Sequence, residues 1–239
     1  MKTIDLCEYL AQRAYPGRGI LFGRSPDGIS AVIAYFIMGR SENSRNRVFV
    51  PRDGGIVAEA FDPALLSDPS LILYAPVKML DAQTTIVTNG DQTETLAQAL
   101  AAGETFEAAL ATRTFEPDAP HFTPRISGLL TTEDCAMGYR LSILKSDEGD
   151  PDSAQRFFFH YPQPKAGEGH LIHTYREAAE GLLSFEGEPV RVALGPVEID
   201  TFAAAVWNAL DMQNRVSLFV RTIDLTNGLT QTRVLNQKG

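Results

Sequence analysis

The sequence predicts an α+β protein in which helices are grouped between two sets of strands. Short apolar and β-branched segments recur along the chain at lengths typical of strands. An alanine-rich stretch with helical periodicity separates the earlier set of strands from the later one. No linker of the kind that separates domains interrupts the 239 residues, so we expect one domain over residues 1–239. Sheets covered by grouped helices are the ordinary way to bury these faces.

The first half of the chain contains one predicted helix, five predicted strands and then two more helices. The segment 31–38 is apolar on both faces and therefore predicts a central strand. Gly103 follows the alanine-rich helix at the position where glycine commonly ends one. In chain order the predicted elements are helix 3–14, strands 20–24, 31–38, 47–50, 71–74 and 85–88, and helices 93–102 and 105–112.

The second half is predicted to be mainly strands, with one late helix. Asp200 or Thr201 is a suitable N-cap for a helix that runs through Leu210. Residues 146–154 are acidic and polar, which predicts an exposed loop, and the polar residues 226–239 predict a frayed tail. The predicted strands are 125–132, 136–144, 155–161, 170–175 and 216–225.

Composition argues against several classes of protein. The formal net charge is −9, which does not suit a nucleic-acid-binding surface. No run approaches the ~20 apolar residues of a membrane span, and the start of the chain has no apolar signal region. Cys7 and Cys135 form neither a CxxC motif nor a disulfide framework, so we expect a cytoplasmic protein.

The sequence also lacks the common cofactor motifs. The four histidines do not show metal-binding spacing, and there is neither a GxGxxG fingerprint nor a P-loop. We therefore expect no metal and no organic cofactor.

Positive charge is concentrated near the start of the chain. Residues 1–52 carry eight Lys and Arg against four Asp and Glu, a net +4 that leaves −13 for the remainder. Arg40, Arg45 and Arg47 lie within eight residues, directly after the predicted central strand. A guanidinium group offers a planar fork of donors that matches phosphate and carboxylate oxygens, so this cluster predicts a small anionic ligand. The alternative is ordinary surface ion pairing, and the spacing does not decide between the two.

Two further segments have the residue types of a binding or catalytic site. Asn89-Gly90 leads into a predicted helix, where exposed amides could bind an anion, although Asn-Gly is most often only a turn. The segment 116–126 has three prolines within eight residues and carries Glu116, Asp118 and Arg125. Such a stiff loop could hold an acid-base group, or it could simply connect two sheets.

Together these segments resemble the archaeal-type IMP cyclohydrolases and their bacterial relatives. The resemblance covers residues 15–130 and extends more loosely to about 190. The blocks 34–47 and 116–120 look like the bacterial branch. The matching residues are Gly17-Arg18, Gly23-Arg24, Ala34-Tyr35, Arg40-Ser41, Asn46-Arg47, Tyr74, Asn89-Gly90, Thr93, Thr95-Leu96, Thr123-Pro124-Arg125-Ile126 and Thr174-Tyr175.

The resemblance implies a four-layer αββα sandwich of the N-terminal-nucleophile hydrolase type, without self-processing. The sequence begins Met1-Lys2, so we expect no free N-terminal nucleophile. The implied activity is closure of 5-formamidoimidazole-4-carboxamide ribotide to IMP with loss of water, the last step of de novo purine synthesis. It also implies a purine ribotide as partner, and we expect a homo-oligomer.

The resemblance also suggests a role for individual residues. Arg47 and Tyr74 fall on the family's central arginine and tyrosine, and its glutamate falls on Glu116 or, alternatively, Asp118. The expected substrate-binding residues are Arg18, Arg24, Arg40, Asn46, Asn89, Gly90, Thr123 and Arg125. Two other functions stay open: a purine-ribotide-binding or regulatory protein that has lost catalysis, and an amidase of the N-terminal-nucleophile type.

Overall fold

The computed structural model of the chain describes residues 3–65, 74–176 and 182–239. It has the mixed helix and strand content of an α+β protein, as the sequence predicts. Within the described residues, none of the helices has the length and apolar character needed to cross a membrane.

The first sheet has seven strands in the order β1-β14-β11-β2-β3-β15-β16. Its neighbours are antiparallel except for β1 and β14, which are parallel. As predicted for a segment apolar on both faces, β3 lies inside the sheet between β2 and β15. The strands are β1 Ile4–Asp5, β2 Arg18–Arg24, β3 Ser30–Met38, β11 Glu168–His173, β14 Val190–Ala193, β15 Arg215–Asp224 and β16 Thr230–Asn236.

The second sheet has seven antiparallel strands in the order β10-β9-β8-β7-β6-β5-β4. This is a simple meander, since each strand lies beside its predecessor in the chain. The strands are β4 Arg47–Arg52, β5 Gly55–Ala60, β6 Tyr74–Met79, β7 Thr84–Thr88, β8 Arg125–Glu133, β9 Ala136–Asp147 and β10 Asp150–Tyr161. A separate two-stranded pair joins β12 Tyr175–Arg176 to β13 Leu183–Ser184.

Three apolar clusters hold these elements together. The largest contains side chains from both sheets, such as Phe22 and Tyr139, and lies between them. The second packs α1 and α5 against the first sheet, and the third packs α3 and α4 against the second sheet. The helices are α1 Leu6–Ala11, α2 Glu42–Arg45, α3 Gln92–Ala101, α4 Phe106–Ala111 and α5 Ile199–Ala209, with a 3₁₀ turn at Pro63–Leu65.

Two predictions about irregular segments are wrong. Residues 146–154 form no loop, because β9 and β10 continue through them and turn at Glu148 and Gly149, both with positive φ. Positive φ at both central residues suits a tight hairpin. The predicted tail 226–239 contains β16, which pairs with β15 from Ile223↔Thr230 to Ser217↔Asn236. Both segments are polar because β10 and β16 are edge strands, so polarity did not indicate disorder.

Smaller differences concern helix and strand limits. The first helix is shorter than 3–14, because Asp5 is its N-cap and accepts a hydrogen bond from Glu8 N–H at 2.9 Å. Of the predicted strand 71–74, residues 71–73 lie outside the described residues, and Tyr74 begins β6. The sequence analysis did not predict β5 or β14.

A glycine of the second sheet faces an aromatic ring of the first sheet. A Cβ atom at Gly128, on β8, would lie 2.4 Å from Cε2 of Phe22, on β2. Phe22 is fully buried and packs against Tyr139, with ring centroids 5.5 Å apart. Only glycine at position 128 therefore leaves room for this ring between the sheets.

We predict that Gly128→Ala lowers the free energy of unfolding by about 1–3 kcal/mol, because the extra methyl overpacks the layer between the sheets. Urea denaturation measures the change. Gly195→Ala is the matched control, since a Cβ there meets nothing within 4 Å and its backbone φ is ordinary. Equal stability of the two variants would contradict this description of the core.

Candidate active site

Arg18 and Arg47 begin strands of different sheets and approach each other in the interior. Arg47 is 2% exposed, and its Nε donates to the Ser44 carbonyl at 2.9 Å. Its Nη2 is buried without a hydrogen-bond partner in the described residues, and so is Nε of Arg18. Buried donors are nearly always satisfied in folded proteins. Two unsatisfied guanidinium nitrogens in one place indicate a site for a ligand that accepts hydrogen bonds.

The local sequence explains how Arg18 reaches this position. Its backbone N–H donates to Thr174 Oγ1 at 3.1 Å, and its carbonyl accepts from Thr174 N–H at 2.9 Å. Gly17 has φ +81°, and a Cβ there would lie 2.2 Å from Thr174 Oγ1 and 2.7 Å from the Tyr175 ring. The Gly17-Arg18 and Thr174-Tyr175 motifs therefore pack against each other, and this contact positions the Arg18 guanidinium group in the site.

The charges in this space are mixed. Burial lowers the pKa of Arg47, and the neighbouring Arg18 lowers it further. Burial also opposes the charge of Arg18, but nearby Glu116 and three tyrosines outweigh that effect and raise its pKa. No ion pair forms between Glu116 and an arginine of the described residues, which leaves a gap between opposite charges.

Tyr74 and Tyr35 form a buried pair beside the arginines. Their hydroxyl oxygens are 3.0 Å apart. Burial raises the pKa of Tyr74, although Arg47 and Arg18 oppose the rise, and the pKa of Tyr35 lies well above its ordinary value. Both phenols therefore keep their protons near neutral pH, and either hydroxyl can donate to the other.

The two candidate carboxylates differ in their surroundings. Asp118 is engaged within its own loop, where its oxygens accept from Thr123 N–H at 2.6 Å and Thr123 Oγ1 at 2.5 Å. Glu116 is 6% exposed and receives no hydrogen bond to its carboxylate from the described residues. Burial raises the pKa of Glu116 despite the opposing effect of Arg18 and Arg125. Glu116 is thus the carboxylate free to exchange a proton.

The proline-rich loop is built to hold Glu116 in place. Its backbone N–H donates to the Thr123 carbonyl at 2.9 Å, and His121 N–H donates to the Asp118 carbonyl at 3.0 Å. Phe122 has φ 42° and packs edge-on against Phe115, with centroids 5.4 Å apart. The loop therefore closes on itself before β8 begins.

Asn89, Gly90 and Arg125 form a scaffold next to Glu116. The Asn89 side chain donates to the Pro124 carbonyl and accepts from Ile126 N–H, so its amide is already used. Arg125 Nη1 lies 2.6 Å from Asp91 Oδ1 and donates to Gln92 Oε1 at 2.9 Å. A Cβ at Gly90 would lie 2.5 Å from that Nη1. The glycine is needed so that the Arg125 guanidinium can pack against the start of α3.

The predicted arginine cluster divides into three roles. Arg45 stabilises the turn through the Gly39 carbonyl at 2.9 Å, and Arg47 enters the site. Arg40 is exposed and lies over the Tyr15 ring, 5.4 Å from its centroid.

Two other predicted binding residues lie elsewhere. Asn46 is buried, but both ends of its amide bond the backbone of Asp62. Arg24 is at the opposite end of β2 from Arg18, about 20 Å away at strand spacing, where its Nε donates to the Gly28 carbonyl. The structure therefore does not bring Arg24 to the site, and it assigns the Asn46 side chain to the fold.

Sequence reasoning missed three tyrosines. Tyr35, Tyr15 and Tyr175 each lie close enough to Arg18 or Arg47 to affect its pKa. Tyr35 and Tyr175 stand in blocks that match the family, but they were not assigned a role in the site. As for metals, the described residues contain no group of three His, Cys, Asp or Glu side chains able to hold an ion.

Comparisons with known proteins agree with these features. A family model described as IMP cyclohydrolase-like protein matches residues 15–228, which include every residue of the site. A protein of Methanopyrus kandleri named "IMP cyclohydrolase" is 31% identical over 169 residues, which cover 70% of this chain and 77% of that protein. The chain therefore belongs to the IMP cyclohydrolase-like family.

Proposed function

We propose that this protein is an IMP cyclohydrolase, which closes 5-formamidoimidazole-4-carboxamide ribotide to IMP with loss of water. The observation that carries the proposal is the buried pair of incompletely bonded guanidinium groups, Arg18 and Arg47, beside Glu116 and Tyr74. Membership of the family supports the same reaction. A homo-oligomer and a cytoplasmic location remain predictions.

We further propose the αββα sandwich of the N-terminal-nucleophile hydrolase type, without self-processing. Two seven-stranded sheets share one apolar cluster, and a helix pair packs on each of them, which supports this arrangement.

The reaction requires a new bond between the carboxamide nitrogen and the formyl carbon. Electrons of the formyl C=O bond move to its oxygen, which takes up a proton, while the carboxamide nitrogen releases one. The C–O bond of this carbinolamine then breaks: the hydroxyl takes up a second proton and leaves as water, and the formamido nitrogen releases its own proton as it forms a C=N bond. Holding both reacting groups of one substrate in contact supplies much of the rate. The protein must also stabilise charge on the oxygen and accept the proton that the nitrogen releases.

The site contains groups suited to each of these tasks. Arg47 and Arg18 offer unused buried N–H donors to the formyl oxygen. Glu116, whose pKa burial raises toward neutrality, accepts the carboxamide proton. Tyr74, whose pKa burial also raises, keeps its proton near neutral pH and gives it to the departing oxygen. Tyr35 is hydrogen-bonded to Tyr74 and can replace that proton.

The substrate phosphate is better placed at the rim of the site. Glu116 lies near Arg18, and its carboxylate would repel a phosphate dianion bound there. Arg40 is exposed over the Tyr15 ring, and among the described residues it forms no ion pair with a carboxylate. We therefore assign Arg40 to the phosphate, and the buried arginines to the reacting oxygen.

Replacing Arg47 by lysine should lower kcat/KM for ring closure by about 10²-fold or more, because a point charge does not reproduce a fork of donors aimed at the oxyanion. Steady-state conversion of the formamido ribotide measures the loss. Arg52→Lys is the control, since Arg52 is exposed and pairs with Glu59 at 2.9 Å. Activity of Arg47→Lys equal to that of the control would remove Arg47 from the reaction.

The pH profile of kcat/KM should report Glu116. The carboxyl must be ionised to accept a proton, so activity falls as the pH drops through its pKa, which burial places above the ordinary 4.5. Tyr74 should cause no loss on the alkaline side below pH 10, because burial raises its pKa above that ordinary value. Glu116→Gln should lower kcat by about 10²–10⁴-fold and abolish the acidic limb. If Glu116→Gln and Asp118→Asn are both fully active, the loop serves only the fold.

Ligand selectivity should depend on the phosphate. IMP should bind at least about tenfold more tightly than inosine, because inosine lacks the charge-assisted bonds to a guanidinium group. Calorimetry with both ligands tests this difference. Arg40→Gln should reduce it, whereas Arg24→Gln, at the far end of β2, should leave it unchanged. Equal affinity for IMP and inosine in the wild type would mean that these arginines do not bind the phosphate group of the ligand.

A further inference from the structure

Tyr175 lies beside Arg18 but takes no part in the proton transfers described above. Its side chain is 2% exposed, and its ring stacks on Tyr15 with centroids 6.0 Å apart. Burial raises its pKa to about 12 although Arg18 opposes the rise, so the phenol is neutral at physiological pH. In the described part of the chain, the only hydrogen-bond partner of its hydroxyl is Thr123 Oγ1, at 2.6 Å.

The direction of that hydrogen bond is determined by Asp118. A carboxylate offers acceptors only, and Asp118 Oδ2 lies 2.5 Å from Thr123 Oγ1. Thr123 must therefore give its single hydroxyl proton to Asp118. It follows that Tyr175 donates its own proton to Thr123 Oγ1. Among the residues that the structure describes, the remaining lone pair of the Tyr175 oxygen has no partner, and it lies beside Arg18.

The backbone of Tyr175 is held just as firmly. Its carbonyl accepts from Nδ1–H of His173 at 2.8 Å, because a carbonyl cannot donate. The other ring nitrogen, Nε2, then accepts from the Tyr9 hydroxyl at 2.8 Å. His173 is buried, and burial lowers its pKa to about 3, so this arrangement persists at neutral pH. Both the position of Tyr175 and the direction of its hydroxyl are thus fixed.

We propose that Tyr175 contacts the substrate as a hydrogen-bond acceptor. Asp118 acts through Thr123 as a positioning residue, because it keeps the Tyr175 proton directed at Thr123 and away from the substrate. The fixed acceptor selects a neutral O–H or N–H donor, which the ribotide carries on its ribose and on its carboxamide but not on its ionised phosphate. The inference rests on the proposed function for the identity of the ligand. It removes Asp118 from the list of candidate bases and adds Tyr175 as a specificity-determining residue.

Asp118→Asn provides a nearly isosteric test. The Thr123 N–H needs an acceptor, so the amide oxygen takes that place and the amide nitrogen faces Thr123 Oγ1. The nitrogen then donates to Thr123, which donates in turn to Tyr175, and the Tyr175 proton turns toward the ligand. A donor then faces a donor, so affinity for IMP should fall about tenfold or more.

The experiment is a double-mutant cycle on IMP affinity, measured by calorimetry. Asp118→Asn and Tyr175→Phe should each weaken binding, and the double variant should bind no more weakly than Tyr175→Phe alone. Additive losses, or unchanged affinity in Asp118→Asn, would overturn the inference. Asp152→Asn, at an exposed position on β10, is the matched control and should bind like the wild type. If the wild type itself fails to bind IMP, the proposed function fails instead.

A second pair of variants covers the case in which Asp118→Asn does not fold. Thr123→Ser keeps the hydroxyl and should bind IMP normally. Thr123→Val removes the hydroxyl that links Tyr175 to Asp118, so its affinity for IMP should fall about tenfold. Equal affinity of Ser and Val variants would contradict the inference. Comparison with 2′-deoxy-IMP tests one donor directly: loss of the preference for IMP in Tyr175→Phe assigns the 2′-hydroxyl, and retention of that preference excludes it.

Discussion

Two guanidinium groups enter one buried space from different sheets, and the rest of the site follows from the need to accommodate them. Moving a charge out of water costs several kcal/mol even after relaxation. Arg18 and Arg47 also repel each other, as the lowered pKa of Arg47 reflects. The surrounding residues that the structure describes offset this cost only in part, since they leave a nitrogen of each group without a partner. An acceptor-rich substrate would complete the set.

The neighbouring features can be understood as supports for this pair. Glu116 supplies the compensating charge without forming an ion pair in the described part of the chain, so a ligand can lie between the opposite charges. Buried tyrosines provide polar groups that stay neutral, because burial raises their pKa values. Gly17 allows Thr174 and Tyr175 to close around Arg18. Each of these features favours ligand binding over maximal stability of the free protein.

Sequence patterns located most of the regular elements, but they failed for β16 and for the start of β10, which are polar. The doubly apolar segment 31–38 could be assigned to a sheet interior because both its faces are buried. The first residues of β10 and the whole of β16 could not be recognised in the same way, since an edge strand exposes one side and resembles a loop in composition. The resemblance to the family identified Arg47, Tyr74 and Glu116 as candidates, but only the fold distinguishes Glu116 from Asp118, because the hydrogen bonds of Thr123 decide which carboxylate is free. Arg18 and Arg24 are both arginines of β2, so residue type did not distinguish them. Only Arg18 reaches the site, because the two residues lie at opposite ends of the strand.

The most direct test of the central claim is absorbance-monitored turnover of 5-formamidoimidazole-4-carboxamide ribotide by the purified wild-type protein, with no added metal or cofactor. The account predicts stoichiometric formation of IMP at a rate proportional to enzyme concentration. The absence of turnover in a folded protein that binds IMP would contradict it. The buried arginines would then serve a ribotide-binding protein without catalysis.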